Sequence, residues 1–188
     1  MLCAATNFSL HYYFIAKGKF EYYKDHEFRV YFGLCTIFSI LFFINIVSTN
    51  KYEADLLSFR HSVFTAVSIL TTTGFSTENF NEWPQMSKTL LFFLFFIGGS
   101  AGSTTGGMKI IRSIVVIKYL AYEVRKLLHP KGIFNINIGE KSIDDNVVRA
   151  TLGFYLFYIF IFGSCAIILS ILGLDTITSL TASASAIG

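Results

Sequence analysis

The sequence predicts an all-α membrane protein, and three observations predict it. Only 14% of the 188 residues are charged, against roughly a quarter in an ordinary soluble domain. Two stretches, 30–47 (VYFGLCTIFSILFFINIV) and 152–172 (LGFYLFYIFIFGSCAIILSIL), carry no charge at all. Each is long enough to cross a hydrocarbon core of about 30 Å at about 1.5 Å rise per residue. The third observation is the 21 phenylalanines, far more than a soluble chain of this length would hold.

Taken in order, residues 1–29 read as the tail of a preceding membrane helix running into a polar loop. A first span follows at 30–48. A short stretch rich in Ser, Thr and Ala, 58–70 (SFRHSVFTAVSIL), leads into TTTGF at 71–75. Trp83 and Pro84 read as an interfacial anchor and a helix start. Another apolar helix, 86–128, is broken by GGSAGSTTGG at 98–107. A polar loop at 129–148 precedes a second uncharged span, 149–173, and a second short stretch, 176–187 (TITSLTASASAI).

Charge orients these spans. Twelve of the 15 Lys and Arg residues fall at 17–29 or 109–149, and only Lys51, Arg60 and Lys88 fall elsewhere. The positive-inside rule places those two loops in the cytoplasm. Glu78, Glu82 and Asp175 then face outward, either concentrating cations at a mouth or simply solvating the surface.

Several function classes are excluded. No arginine stripe is interleaved with base-stacking aromatics, so nucleic acid is not a partner. Cys3, Cys35 and Cys165 form neither a disulfide framework nor a zinc pattern and read as small buried side chains. His11, His26, His61 and His129 have no metal spacing. The spans lack the convergent ionisable groups that a membrane-embedded enzyme needs. No cofactor is called for.

An internal repeat appears at an offset of 120. Arg29-x-x-x-Gly33 opens the first span and Arg149-x-x-x-Gly153 the second; Asp55 and Asp175 follow them. The short stretches after each Asp cannot span a bilayer. They read as re-entrant helices packed among others, or as amphipathic surface helices. On the re-entrant reading TTTGF lines an aqueous path, because non-helical backbone at membrane depth survives only inside protein or against water. The helix C-terminus favours a cation. Carbonyl and threonine oxygens can replace a hydration shell, and Gly74 frees the backbone to aim them. The loop has no carboxylate, which suits a monovalent ion better than Mg²⁺ or Ca²⁺.

Gly98, Gly99, Gly102, Gly106 and Gly107 cost the broken helix about 1 kcal/mol each in helical preference. Two readings stand: close packing of helices through small residues, or a polar flexible loop near water, which Ser100, Ser103, Thr104 and Thr105 favour. The phosphate-loop pattern fails, because Met108 separates Gly107 from Lys109. Lys109 and Arg112 either hold a closed gate or anchor the helix at the interface.

These words, TTTGFST with FIGGSAGSTTGGMKIIR, and NFSLHYYF with DHEFRVYFG, resemble the TrkH/KtrB superfamily of bacterial potassium-uptake proteins over essentially the whole chain. The resemblance implies M1–P–M2 potassium-channel-like repeats with re-entrant pore helices and filter loops, four of them around one pore, in a homodimer. Residues 30–128 match a third repeat, with M1 at 30–48, pore helix 58–70, filter 71–75 and broken M2 at 86–128. Residues 149–188 match a truncated fourth, with M1 at 149–173 and pore helix 176–187. Thr71, Thr72, Thr73, Gly74 and Phe75 would be one filter segment, passing K⁺ along backbone carbonyls without a structural metal. Residues 98–107 would be the gating loop. The implied partner is a TrkA/KtrA-type RCK nucleotide-binding subunit, and the implied location a multi-pass place in the cytoplasmic (inner) membrane. Potassium uptake is the expected function; a Na⁺-coupled or Na⁺-permeable transporter, or a non-conducting structural fragment, are the alternatives.

Overall fold

The computed structural model describes residues 1–18, 20–49, 55–129, 136–138 and 141–188. Lys19, Lys51 and Lys131, part of the charge asymmetry, lie outside them. Seven α-helices and one short hairpin are found among the described residues. They divide into two compact units, Met1–Ile110 with Ala184–Gly188, and Ile111–Ser183.

In the first unit, α1 covers only Phe8–Lys17. The Asn7 side chain caps it by accepting the Ser9 N–H at 2.9 Å, and left-handed Gly18 ends it. Residues 2–5, before this cap, are turns.

α2 runs His26–Ser48, four residues earlier than hydropathy alone indicates. The charged residues at 26–29 break the apolar run but not the helix, because Asp25 caps it: the Phe28 N–H donates to its carboxylate at 2.7 Å. Glu27, Tyr31, Cys35, Ser39, Phe42 and Ile46 are buried, a stripe at helical spacing. Phe32, Ile37, Ile40 and Ile44, off that stripe, are exposed.

α3 (Leu56–Leu70) packs against α2 and against α4 (Gln85–Ile97). Its buried positions include Ser58, Ser62, Thr65, Ala66 and Ser68; such small side chains let helix backbones approach closely. Asp55 caps it by accepting the Ser58 N–H at 2.7 Å, and that hydrogen bond holds the carboxyl below its ordinary range. The Phe43 ring meets Phe59 edge-on, centroids 5.6 Å apart. The Ser87 hydroxyl donates to the Asn45 side chain at 2.7 Å. Trp83 departs from its expected place. It is only 2% exposed, its ring 5.7 Å from that of Phe42, so it fills the α2–α4 corner and is not an interfacial anchor within this chain.

The second unit holds most of α5 (Ile110–Leu128), α6 (Asp145–Ile171) and most of α7 (Thr176–Ile187). A two-residue antiparallel hairpin pairs β1 (Asn137–Ile138) with β2 (Lys141–Ser142). The Ser113 and Tyr155 hydroxyls lie 2.7 Å apart, joining α5 to α6. Asp175 accepts the Thr178 N–H at 3.1 Å and its carboxyl is lowered by the bonds to Thr178, repeating the Asp55 cap 120 residues on. α2 and α6 are each long and apolar enough to cross a membrane.

Candidate functional site

Two interruptions of helix make the candidate site, and both lie in the first unit. The first follows α3. Beyond Leu70 the Thr73 N–H donates to the Ser68 carbonyl at 2.9 Å, and the Thr72 N–H to the Ile69 carbonyl at 3.0 Å. This pair of bonds is a Schellman closure, which requires a left-handed residue just past the cap. Glycine is the usual occupant; here it is Thr72, at φ +49°. A β-branched residue in that conformation costs about 1–2 kcal/mol. Gly74 follows at φ +74°. A Cβ on it would meet nothing within 4 Å, so its backbone conformation, and not space, calls for glycine. The Ser68 hydroxyl donates to the Phe75 carbonyl at 2.6 Å, and the Thr71 and Thr73 hydroxyls share a 2.7 Å bond. Residues 71–75 are thus folded back onto the end of their own helix.

The second interruption lies between α4 and α5, at 98–109. Gly98, Gly102 and Gly107 are left-handed, and so is Lys109, at φ +57°. Entry and exit are stapled: the Met108 N–H donates to Phe96 at 3.2 Å and the Ile110 N–H to Gly99 at 3.1 Å. The Gly99 N–H donates to the Thr105 hydroxyl at 3.1 Å, which also pairs with Ser103 at 2.8 Å. The Lys109 ammonium bends back and donates to the Thr105 carbonyl, to the Thr105 hydroxyl at 3.1 Å and to the Ser103 carbonyl at 3.5 Å. A Cβ on Gly98 would fall on the Gly106 carbonyl, so backbone passes over backbone at that point.

Distant residues hold this loop. The Ser100 N–H donates to Ala5 at 2.9 Å, the Thr104 N–H to Ala4 at 3.2 Å, and the Phe8 N–H to Gly102 at 3.1 Å. Glu27, 7% exposed, accepts the Ala101 N–H at 2.7 Å. Thr72 accepts the Gly106 N–H through its hydroxyl at 3.0 Å. A cavity of about 50 Å³ is lined by Ile69, Thr72, Gly74, Phe95, Ser185 and Gly188.

Among the residues singled out from sequence, Thr71, Thr72, Thr73, Gly74 and Phe75 form one folded-back loop. Gly98, Gly99, Ser100, Gly102, Ser103, Thr104, Thr105, Gly106, Gly107 and Lys109 form another, and Thr72 and Gly106 join them. Arg112 does not belong to this loop: its guanidinium sits 4.0 Å over the Phe154 ring, in the second unit. Sequence reasoning missed Glu27, Ala4, Ala5 and Asn7. Asn7 carried a visible signal, since Asn just before an apolar run is an N-cap pattern. Glu27 carried a weaker one, a carboxylate in the turn before an uncharged span. No group of three or more His, Cys, Asp or Glu is placed to hold a metal among the described residues.

The family model described as TrkH, cation transport protein, matches residues 1–188. The Trk system potassium uptake protein TrkH of Vibrio parahaemolyticus is 35% identical over 188 residues, covering 98% of this chain and 39% of that protein. The Escherichia coli K12 protein TrkG, of the same description, is 30% identical over 187 residues, 99% of this chain and 38% of its own length. The crystal structure of the Vibrio parahaemolyticus potassium transporter TrkH superposes with a TM-score of 0.92 at 35% identity, over 98% of this chain and 40% of that one. The chain therefore spans well under half the length of these relatives. It belongs to the TrkH family of cation transport proteins.

Proposed function

We propose that this chain is the third M1–P–M2 repeat, and the start of the fourth, of a potassium-uptake pore in the cytoplasmic membrane. In this reading α2 is M1, α3 the pore helix, 71–75 one filter segment, and α4 with α5 a broken M2 whose glycine-rich loop at 98–107 is the gate. α6 and α7 begin the next repeat. The observation that carries it is the short capped helix followed by left-handed Thr72 and Gly74, hydrogen-bonded to the glycine-rich break. The names of the relatives support potassium as the ion. The exposed apolar residues of α2 and α6 support a lipid setting.

The chemistry is dehydration and rehydration, without a cofactor or a catalytic residue. The Val67, Ser68 and Ile69 carbonyls are engaged by the N–H groups of 71–73. A cation at this helix end is therefore met by the oxygens of the loop, while the helix end supplies negative potential. K⁺ moves down its electrochemical gradient through these oxygens. Lys109, bonded to its own loop, holds the gate shut in preference to anchoring at the interface. The regulatory partner is a TrkA/KtrA-type RCK nucleotide-binding subunit, and the assembly is a homodimer.

The test is rubidium and sodium uptake into cells lacking their own potassium-uptake systems. They would express the complete reading frame around this segment, wild type or Gly74→Ser. The reading expects rubidium uptake by the wild type and a loss of rubidium-over-sodium preference of roughly tenfold in the variant, equivalent to about 1.4 kcal/mol. An unchanged preference sinks the filter assignment.

A further inference from the structure

We infer that the Thr72 hydroxyl is a latch between the filter segment and the gating loop, and so a positioning residue for gating and not only a filter residue. The inference rests on the pore reading for what the loop controls.

Three observations meet at this residue. Thr72 occupies the left-handed position of the α3 cap, where glycine or asparagine is the unstrained choice. Nothing in the cap uses its side chain, because the closure is made by backbone groups of Ser68, Ile69, Thr72 and Thr73. Strain retained at a site with no local use for it points to a function elsewhere. The Thr72 side chain does have such a use. Its hydroxyl oxygen accepts the Gly106 N–H at 3.0 Å, across 34 residues of sequence. Gly106 is the loop residue that crosses Gly98, so a Cβ at Gly98 would fall on its carbonyl. A bond at Gly106 therefore fixes the loop where it is most tightly folded.

The mechanism follows from the geometry. With the bond made, the loop stays folded against the end of the filter segment. To open, the loop must release the Gly106 N–H, which transfers to water or to another acceptor. Thr72 is left with its backbone cap intact, because the cap bonds do not involve the hydroxyl. Gating then moves the loop without dismantling the filter. This separation would be lost if the latch ran through a backbone group of 71–75.

Three variants of the complete protein separate hydroxyl from strain. Thr72→Val keeps the shape and the β-branch but removes the acceptor. Thr72→Gly removes both the strain and the acceptor. Thr72→Ser restores the acceptor. With the cytoplasmic partner in its closing condition, rubidium leak should rise roughly fivefold in both Thr72→Val and Thr72→Gly, the scale expected for losing one hydrogen bond. Thr72→Ser should bring the leak back toward wild type. Amide hydrogen exchange of the 98–109 peptide should quicken in the first two variants and not in the third. A leak in Thr72→Val with none in Thr72→Gly would assign the effect to backbone strain and overturn the latch. Altered rubidium-over-sodium preference with unchanged leak and exchange would make Thr72 a filter residue only, and would also overturn it. A wild type that conducts neither ion in any condition would defeat the pore reading. The exchange comparison would still decide whether the hydroxyl holds the loop.

Discussion

Two departures from helix, at 71–75 and at 98–109, differ in how far their bonds reach. At 71–75 the stabilising bonds run to Ser68 and Ile69, a few residues back on the same helix. At 98–109 bonds within the loop, among Gly99, Ser103, Thr105 and Lys109, are joined by others to Ala4, Ala5, Phe8, Glu27 and Thr72, between 34 and 100 residues away. The first loop can form as soon as α3 forms. The second gains its full set of bonds only when the N-terminal turns, α2 and the end of α3 are in place. Local closure gives a stiff element that holds its shape while its surroundings move. Remote tethering gives an element whose several bonds are lost together, the behaviour of a unit that opens cooperatively. The proposed reading asks the first property of its filter segment and the second of its gating loop.

Substitutions can break this contrast. Gly98→Ala should have the largest effect. Its Cβ would fall on the Gly106 carbonyl, in a left-handed backbone as well. Backbone cannot yield as a flexible side chain would, so a loss above about 3 kcal/mol is expected. The yield of monodisperse protein and its melting temperature measure this. A variant melting within a few degrees of wild type would mean the loop is not folded on itself. Glu27→Ala comes next, at about 2 kcal/mol, the scale of a hydrogen bond to a charged group. Its effect should appear as faster amide exchange across 98–109 with 71–75 unaffected. Equal loosening of both loops would erase the distinction between them.

The smallest effect is the pH dependence of the α3 cap. The Asp55 carboxyl is held below its ordinary 3.8 by the Ser58 N–H. The ionised group's contribution is complete above that value and fades as pH falls through the lower folded value. Asp55→Asn keeps a capping oxygen, so its melting temperature should lie slightly below wild type near neutral pH, and the gap should close in acid. A gap that widens in acid would reverse the assignment.

The difference between the loops also explains what sequence reveals. Helices α2, α3 and α6 were legible because hydropathy, small-residue content and, for α3, the Asp at its start are local signals. The break at 98–107 was legible because five glycines cannot favour helix. The start of α2 slipped because a cap outweighed hydropathy: Asp25 starts the helix in charged sequence. The tethers were not legible at all. Glu27 sits 74 residues from the N–H it accepts, and no spacing rule links them. Trp83 read as interfacial because an aromatic beside proline usually marks a membrane edge. Its burial against Phe42 depends on how α2 and α4 meet, which is a tertiary fact.

That buried corner has an optical consequence. Trp83 is the chain's single tryptophan, enclosed beside an aromatic ring, and its indole N–H has no partner among the described residues. An indole shielded from water emits at short wavelength, and one that meets water emits further to the red. Trp83 would therefore report, by the colour of its emission alone, whether the corner between α2 and α4 stays closed.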